Sequence, residues 1–331
     1  MLQEGNRIAY IDLAKGFCIV LVVLFHAKGV FNVHDVSDAF LASFRLPLYF
    51  FLSGLFFKEY GGFSRFFIKK VNRLLAPFFF FYICFSVCLP NLLHAVFGVH
   101  FDTVVGWPSL WAFLWPGQYP NIPIWFLWCL FLMNILFWVI YTLSNRYSNQ
   151  WSIGVLVLLC VVCGFIGSWL MDSQPTDYGN VFKALQSMPF FCFGYLLKHY
   201  NGLQRIQVMS RLSVLFSTLI FLGLTLFFTF YYPLYFTTGI TGTLFILLLA
   251  RFFGRLPFFS YVGRYSIMLL LTHGLLIRVL TPLCFRLSEK TGPEIAVLLL
   301  FLIVLMSYYL LIPLMRRFLP YVTAQKPLFR E

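Results

Sequence analysis

Ten stretches of this chain are each apolar over about 20 residues, long enough to cross the hydrocarbon core of a bilayer, and that repeated length decides the fold class. They run roughly over 9–31, 40–58, 73–93, 123–143, 152–171, 182–198, 212–231, 234–253, 262–282 and 293–317. In a bilayer every backbone N–H and C=O must be satisfied within the protein, so apolar runs of this length form helices. The expected fold is an all-α polytopic membrane protein with about ten transmembrane helices. Composition agrees, with 61% of the 331 residues apolar and only 11% charged, against about 25% charged in soluble domains. No Gly/Ser- or Pro-rich linker divides the chain, so residues 1–331 read as one integral membrane domain. The first run is long enough to span and no small-x-small cleavage site follows it, so it is expected to stay as a helix. Pro233 in YYPLY (231–235) is expected to turn the seventh span into the eighth. WPSLWAFLWPG (107–117) is too short to span and is expected at headgroup depth or dipping into the protein.

Charge sets the orientation. The net charge is +13. Of the 24 Lys and Arg residues, seventeen fall on one side of the spans, Lys28, Arg278, Arg286 and Lys290 on the other, and Lys15, Arg45 and Lys183 within them. By the positive-inside rule both termini are cytoplasmic, in a cytoplasmic (inner) membrane. Binding of nucleic acid is excluded, because no basic patch with interleaved aromatics lies in a polar region. The eight cysteines include Cys160-x-x-Cys163, which has no His or acid beside it and reads as small apolar filler. Neither a disulfide framework nor a metal site is expected. No internal repeat of the kind found in many transporters is visible.

Three ionisable residues sit in the first span, YIDLAKGFCIVLVVLFHAKG (10–29). At about 100° per residue, Lys15 and His26 lie within roughly 20° of each other on the helix, about 16 Å apart along its axis, and Asp12 lies about 60° from Lys15. Lys15 can snorkel to the interface or pair with Asp12. His26 is too deep for that. An ionisable residue inside a span is a functional candidate, with structural hydrogen bonding as the alternative. Asp12 is about 21 Å from His26 along the axis and cannot orient its imidazole.

Asp12-x-x-Lys15-Gly16, apolar residues and then His26 resemble the first helix of the membrane acyltransferase-3 family, which typically shows Arg, ten residues and His. Here Lys15 keeps the positive charge without the planar fork. FRLPLYFFLSGLFF (44–57), KKVNRLLAPFFFF (69–81), PIWFLWCLFL (123–132), PFFCFGYLLK (189–198) and YVGRYSIMLLLTH (261–273) are similar to later family segments in order and spacing, and most resemble the sugar O-acetylase branch. The resemblance implies transfer of an acyl group, usually acetyl, from cytoplasmic acyl-CoA as donor substrate to a hydroxyl of a glycan acceptor, with no metal.

Chemistry assigns provisional roles. A neutral His26 can take the proton of an attacking hydroxyl as general base, with a transient acyl-histidine as the alternative. The phosphates of CoA need cations; Lys15, Lys69, Lys70 and Arg73 are the candidates, and Lys70-x-x-Arg73 is expected to present both on one helix face. Ordinary positive-inside signalling is the competing explanation for that cluster. Arg45 and His273 lie at a depth similar to His26, so these three can ring a polar pocket, with Asp12 supporting Lys15. Arg45 can stabilise an oxyanion or hold an acceptor anion, or snorkel outward; His273 can instead be a core hydrogen bonder. Ser53-Gly54 is expected to allow close helix packing. Asp35, Asp38, Asp102, Asp172 and Asp177 are outer acids, solvated by default. The competing function is a transporter or flippase for a polar lipid or glycan, using the same buried charges as a permeation path.

Overall fold

The computed structural model describes residues 8–98, 105–115, 121–147, 149–174 and 176–329. Among them every regular element is helical. Eight helices are long and apolar enough to cross a membrane: Ala9–Val30, Phe63–Val96, Trp125–Ser144, Trp151–Ser173, Arg211–Phe230, Tyr235–Phe253, Ser266–Thr291 and Pro293–Phe318. The Tyr231–Leu234 turn separates the fifth of these from the sixth, as Pro233 dictates.

The expected spans at 40–58 and 182–198 are each two short helices, Ser37–Arg45 then Pro47–Leu55, and Val181–Gln186 then Met188–His199. Proline is the cause in both. Pro47 and Pro189 have no N–H to bond back one turn, and each ring crowds the carbonyl four residues earlier. The chain restarts with tight bonds from the Tyr49 N–H to the Leu46 carbonyl (3.0 Å) and from the Phe190 N–H to the Ser187 carbonyl (3.1 Å). The ninth span is likewise preceded by a separate helix, Pro257–Arg264, with the break at Tyr265.

The third expected span begins ten residues early, as a 34-residue helix that includes Lys69, Lys70 and Arg73. It contains two π-helical stretches, Val71–Leu75 and Ile83–Cys88. Each contains the residue four before a proline: Arg73 for Pro77 and Ser86 for Pro90. A wider turn makes room for the ring beside that carbonyl, so the helix passes both prolines without ending. The 107–115 segment forms 3₁₀ turns at Trp107–Leu110 and Ala112–Leu114 with Trp107, Trp111 and Trp115 exposed. The Tyr82 hydroxyl pins it, donating to the Ser109 carbonyl and accepting from the Phe113 N–H.

The chain divides into two compact units. The first comprises the segment up to Leu55, Phe193–Leu269 and Val279–Tyr309. One face of the Ala9–Val30 helix buries Tyr10, Leu13, Ala14 and Cys18 against Phe44, Leu48, Phe51, Phe245 and Leu247. On its 12–16 side the Pro257–Arg264 helix comes closer than any side chain would allow. A Cβ on Gly263 would lie 1.9 Å from the Asp12 carbonyl oxygen, and one on Gly16 would lie 1.9 Å from that of Phe259. Reciprocal glycines of this kind let two backbones touch where no hydrophobic force between lipid-facing helices is available. In the same unit Gly194 makes a matching approach to the Phe51 carbonyl.

The second unit comprises Phe56–Cys192, Leu270–Arg278 and the segment from Leu310. Its interior is aromatic: the tilted rings of Phe137 and Phe191 have centroids 4.4 Å apart, Phe57 meets Phe137 edge-on at 4.9 Å, and Phe78, Tyr82, Phe113 and Trp128 form a second group. The Trp151–Ser173 helix packs on Val181–Gln186 through Gly167, where a Cβ would fall 2.2 Å from the Gln186 nitrogen.

Candidate active site

The candidate residues divide between the units. Asp12, Lys15, His26 and Arg45 belong to the first; Lys69, Lys70, Arg73 and His273 belong to the second.

In the first unit, Lys15 and His26 share one unbroken helix, so the separation of about 16 Å holds. The Lys15 ammonium lies 3.9 Å from an Asp12 carboxylate oxygen, both partly exposed. The backbone beneath them is fixed twice. The Gly16–Gly263 approach sets one side, and the Tyr49 hydroxyl donates to the Lys15 carbonyl at 2.9 Å on the other. Tyr49 thus ties the Pro47–Leu55 helix to the Lys15 turn, a role the sequence reading missed.

Deeper along that helix, His26 is half-buried, and its ring meets the edge of Phe25 with centroids 5.4 Å apart. The Arg45 guanidinium lies over the Phe25 ring, 4.0 Å from its centre. Arg45 is buried rather than snorkelled, and Phe25 is the shared neighbour of the imidazole and the guanidinium. A cation over an aromatic face gains about 0.5–2 kcal/mol, which offsets part of the cost of burying the charge.

The C-terminal end of the helix holds a cluster that the residue-by-residue reading undervalued. Lys28 is buried, and its ammonium bonds Asp35 at 2.9 Å and Asp38 at 2.6 Å. The His34 ring nitrogen lies 3.3 Å from the second Asp38 oxygen. Asp35 and Asp38 are therefore ion-paired, not merely solvated. The Ser37 hydroxyl and then Lys28 hold the Asp35 carboxyl down at about 2. The chain folds back to make these bonds at Asn32, whose φ of 51° is the left-handed conformation that Asn tolerates after a helix. The signal was in the sequence: an Asn just past the helix, with two acids seven and ten residues beyond a lysine. Asp177 also has a local task, accepting the Phe182 and Lys183 N–H groups at 2.8 and 2.9 Å at a helix start. Asp102 lies outside the described residues.

In the second unit, Lys69 lies over the Tyr60 ring at 4.7 Å and Lys70 over Phe66 at 5.3 Å. Lys70 is buried while Arg73 is exposed. They do not share one exposed face, because the turn between them is π-helical and three residues do not complete it. His273 is fully buried. Beside it the Asn121 side-chain amide donates to the Leu271 carbonyl at 2.9 Å, and Gly274 lies against Pro123.

The model of the acyltransferase-3 family, described as an acyltransferase domain, matches residues 8–312. The chain belongs to the acyltransferase-3 family. No curated protein and no solved structure matches it. With its apolar helices, this family member is an integral membrane acyltransferase. The matched region contains all eight candidate residues.

Proposed function

We propose that this acyltransferase moves an acyl group, acetyl in the simplest case, from cytoplasmic acyl-CoA to a hydroxyl of an extracytoplasmic or lipid-linked glycan, as in the sugar O-acetylase branch. In this reading the chain crosses the inner membrane ten times, the two proline-broken pairs supplying the second and sixth crossings, with both termini cytoplasmic. Lys15, steadied by Asp12, in the first unit and the Lys69, Lys70 and Arg73 cluster in the second are each, taken by itself, a cation group suited to the CoA phosphates. The pantetheine arm, comparable in length to the roughly 16 Å rise from Lys15 to His26, carries the thioester to the imidazole.

There the neutral His26 takes the hydroxyl proton as the oxygen attacks the thioester carbon. Arg45 balances the developing oxyanion. The tetrahedral intermediate collapses with loss of the CoA sulfur, which receives the proton back from the imidazolium. His273 supports the acceptor side.

The observation that carries this reading is one unbroken helix with a paired cation near one end and, towards the other, a half-buried histidine next to Phe25, over whose ring the buried Arg45 lies. The test is incubation of the reconstituted protein with labelled acetyl-CoA and candidate glycans. Label covalently attached to glycan supports the proposal. Glycan or lipid crossing the bilayer with no label transferred would favour the transporter reading.

A further inference from the structure

Between Lys70 and Arg73, one buried side chain makes three hydrogen bonds to backbone 256 and 257 residues away. The Asn72 carbonyl oxygen accepts the Leu328 N–H at 3.0 Å and the Phe329 N–H at 2.8 Å, and its amide donates to the Phe329 carbonyl at 2.9 Å. Asn72 is 2% exposed, whereas the Leu328 and Phe329 side chains are about half exposed. The attachment is therefore made by backbone bonds and not by burial of the tail's apolar groups. Both partners belong to the second unit. The tail is brought round after the Pro293–Phe318 helix by a compact turn in which Ala324 adopts a φ of 58° and Thr323 is fully buried.

The place of this clasp is what gives it a function. Asn72 lies inside the Val71–Leu75 π-helical turn, where the regular bonding of the helix is stretched to accommodate Pro77. Such a turn has weaker internal restraint than an α-helical one. It also carries Arg73 and follows directly on Lys70, which is buried over Phe66. Whatever fixes Asn72 fixes the directions in which these two cations project.

We infer that Asn72 is a positioning residue for the basic cluster, and that the C-terminal segment at Leu328–Phe329 is the strap that holds it. The inference rests on the donor-binding reading of Lys70 and Arg73. The strap touches no donor itself; it acts through the turn. Pre-set cations lose less freedom on meeting a phosphate, so the clasp tightens donor binding without altering chemistry at His26.

The experiment is calorimetric titration of the purified protein with CoA, together with steady-state kinetics. The variants are Asn72→Ala, deletion of residues 328–331, the two combined, and Lys70→Met/Arg73→Met. Each clasp variant should weaken CoA binding by about fivefold or more and raise the donor KM in step, as expected for one lost restraint. The combination should cost no more than either alone, because both remove the same clasp. kcat at saturating donor and the acceptor KM should stay within about twofold. CoA affinity unchanged in the folded clasp variants, with affinity lost in Lys70→Met/Arg73→Met, would overturn the inference and leave the donor site standing. Unchanged affinity in Lys70→Met/Arg73→Met would overturn the donor reading and the inference with it. The deletion keeps the test alive should Asn72→Ala fail to fold, since the Leu328 and Phe329 side chains are about half exposed.

Discussion

Gly263→Ala should be among the most damaging single-methyl additions in the first unit. The new Cβ would sit 1.9 Å from the Asp12 carbonyl oxygen and 2.5 Å from the Gly16 nitrogen. Ordinary contact begins near 3.4 Å, so the Pro257–Arg264 helix must withdraw by about 1.5 Å. The obstacle is backbone on both sides, so no side chain can swing aside. Overpacking of this kind costs about 1–3 kcal/mol. Withdrawal also separates Gly16 from the Phe259 carbonyl, so Gly16→Ala should cost a similar amount and the double variant little more than either, because one displacement relieves both clashes. Gly223→Ala is the control: no atom lies within 4 Å of its Cβ, and an exposed mid-helix Gly→Ala change should be neutral or stabilise by up to about 1 kcal/mol. Unfolding in mixed detergent, followed by far-ultraviolet circular dichroism, measures all four. Gly263→Ala within about 0.5 kcal/mol of the parent, or fully additive Gly16 and Gly263 effects, would refute the close-packed glycine pair.

Other outcomes follow from the same geometry. Lys28→Met leaves two acids without their shared cation and should cost about 1.5–3 kcal/mol, read by the same unfolding assay. Asp35 has its carboxyl depressed in the folded state, so its contribution is present above the ordinary carboxylate range and disappears as pH falls from about 4 towards about 2. Amide exchange in 31–38 should accordingly stay slow at pH 5 and quicken below pH 3; early opening near pH 5 would contradict the pairing. Membrane-impermeant thiol reagents should label an introduced cysteine near Asp177 from outside but not one near Arg65 or Arg205, and the reverse pattern would invert the orientation.

What the sequence made readable was governed by length and period. Runs of about 20 apolar residues identify a spanning helix because nothing else satisfies the backbone in lipid. Prolines decided where that reading slipped. Pro47 and Pro189 split two expected spans, whereas Pro77 and Pro90 were absorbed by π-helical turns, and nothing local distinguishes the two fates. The Asp12–Lys15 pair was legible because i and i+3 meet on any helix. The Phe25 bridge between His26 and Arg45 and the Tyr49 bond to Lys15 needed tertiary structure, since the partners come from separate helices. The Asn72 clasp was beyond pattern reading, because a side chain that grips backbone leaves no signature in the residues it holds.

The central claim is that His26 is the base of an acyl transfer. The most direct measurement is the rate of label transfer from acetyl-CoA by His26→Ala, with its fold and CoA affinity verified alongside. The account predicts a loss of about a hundredfold or more in kcat with CoA binding retained. Transfer at a near-parental rate by a well-folded His26→Ala protein would contradict it.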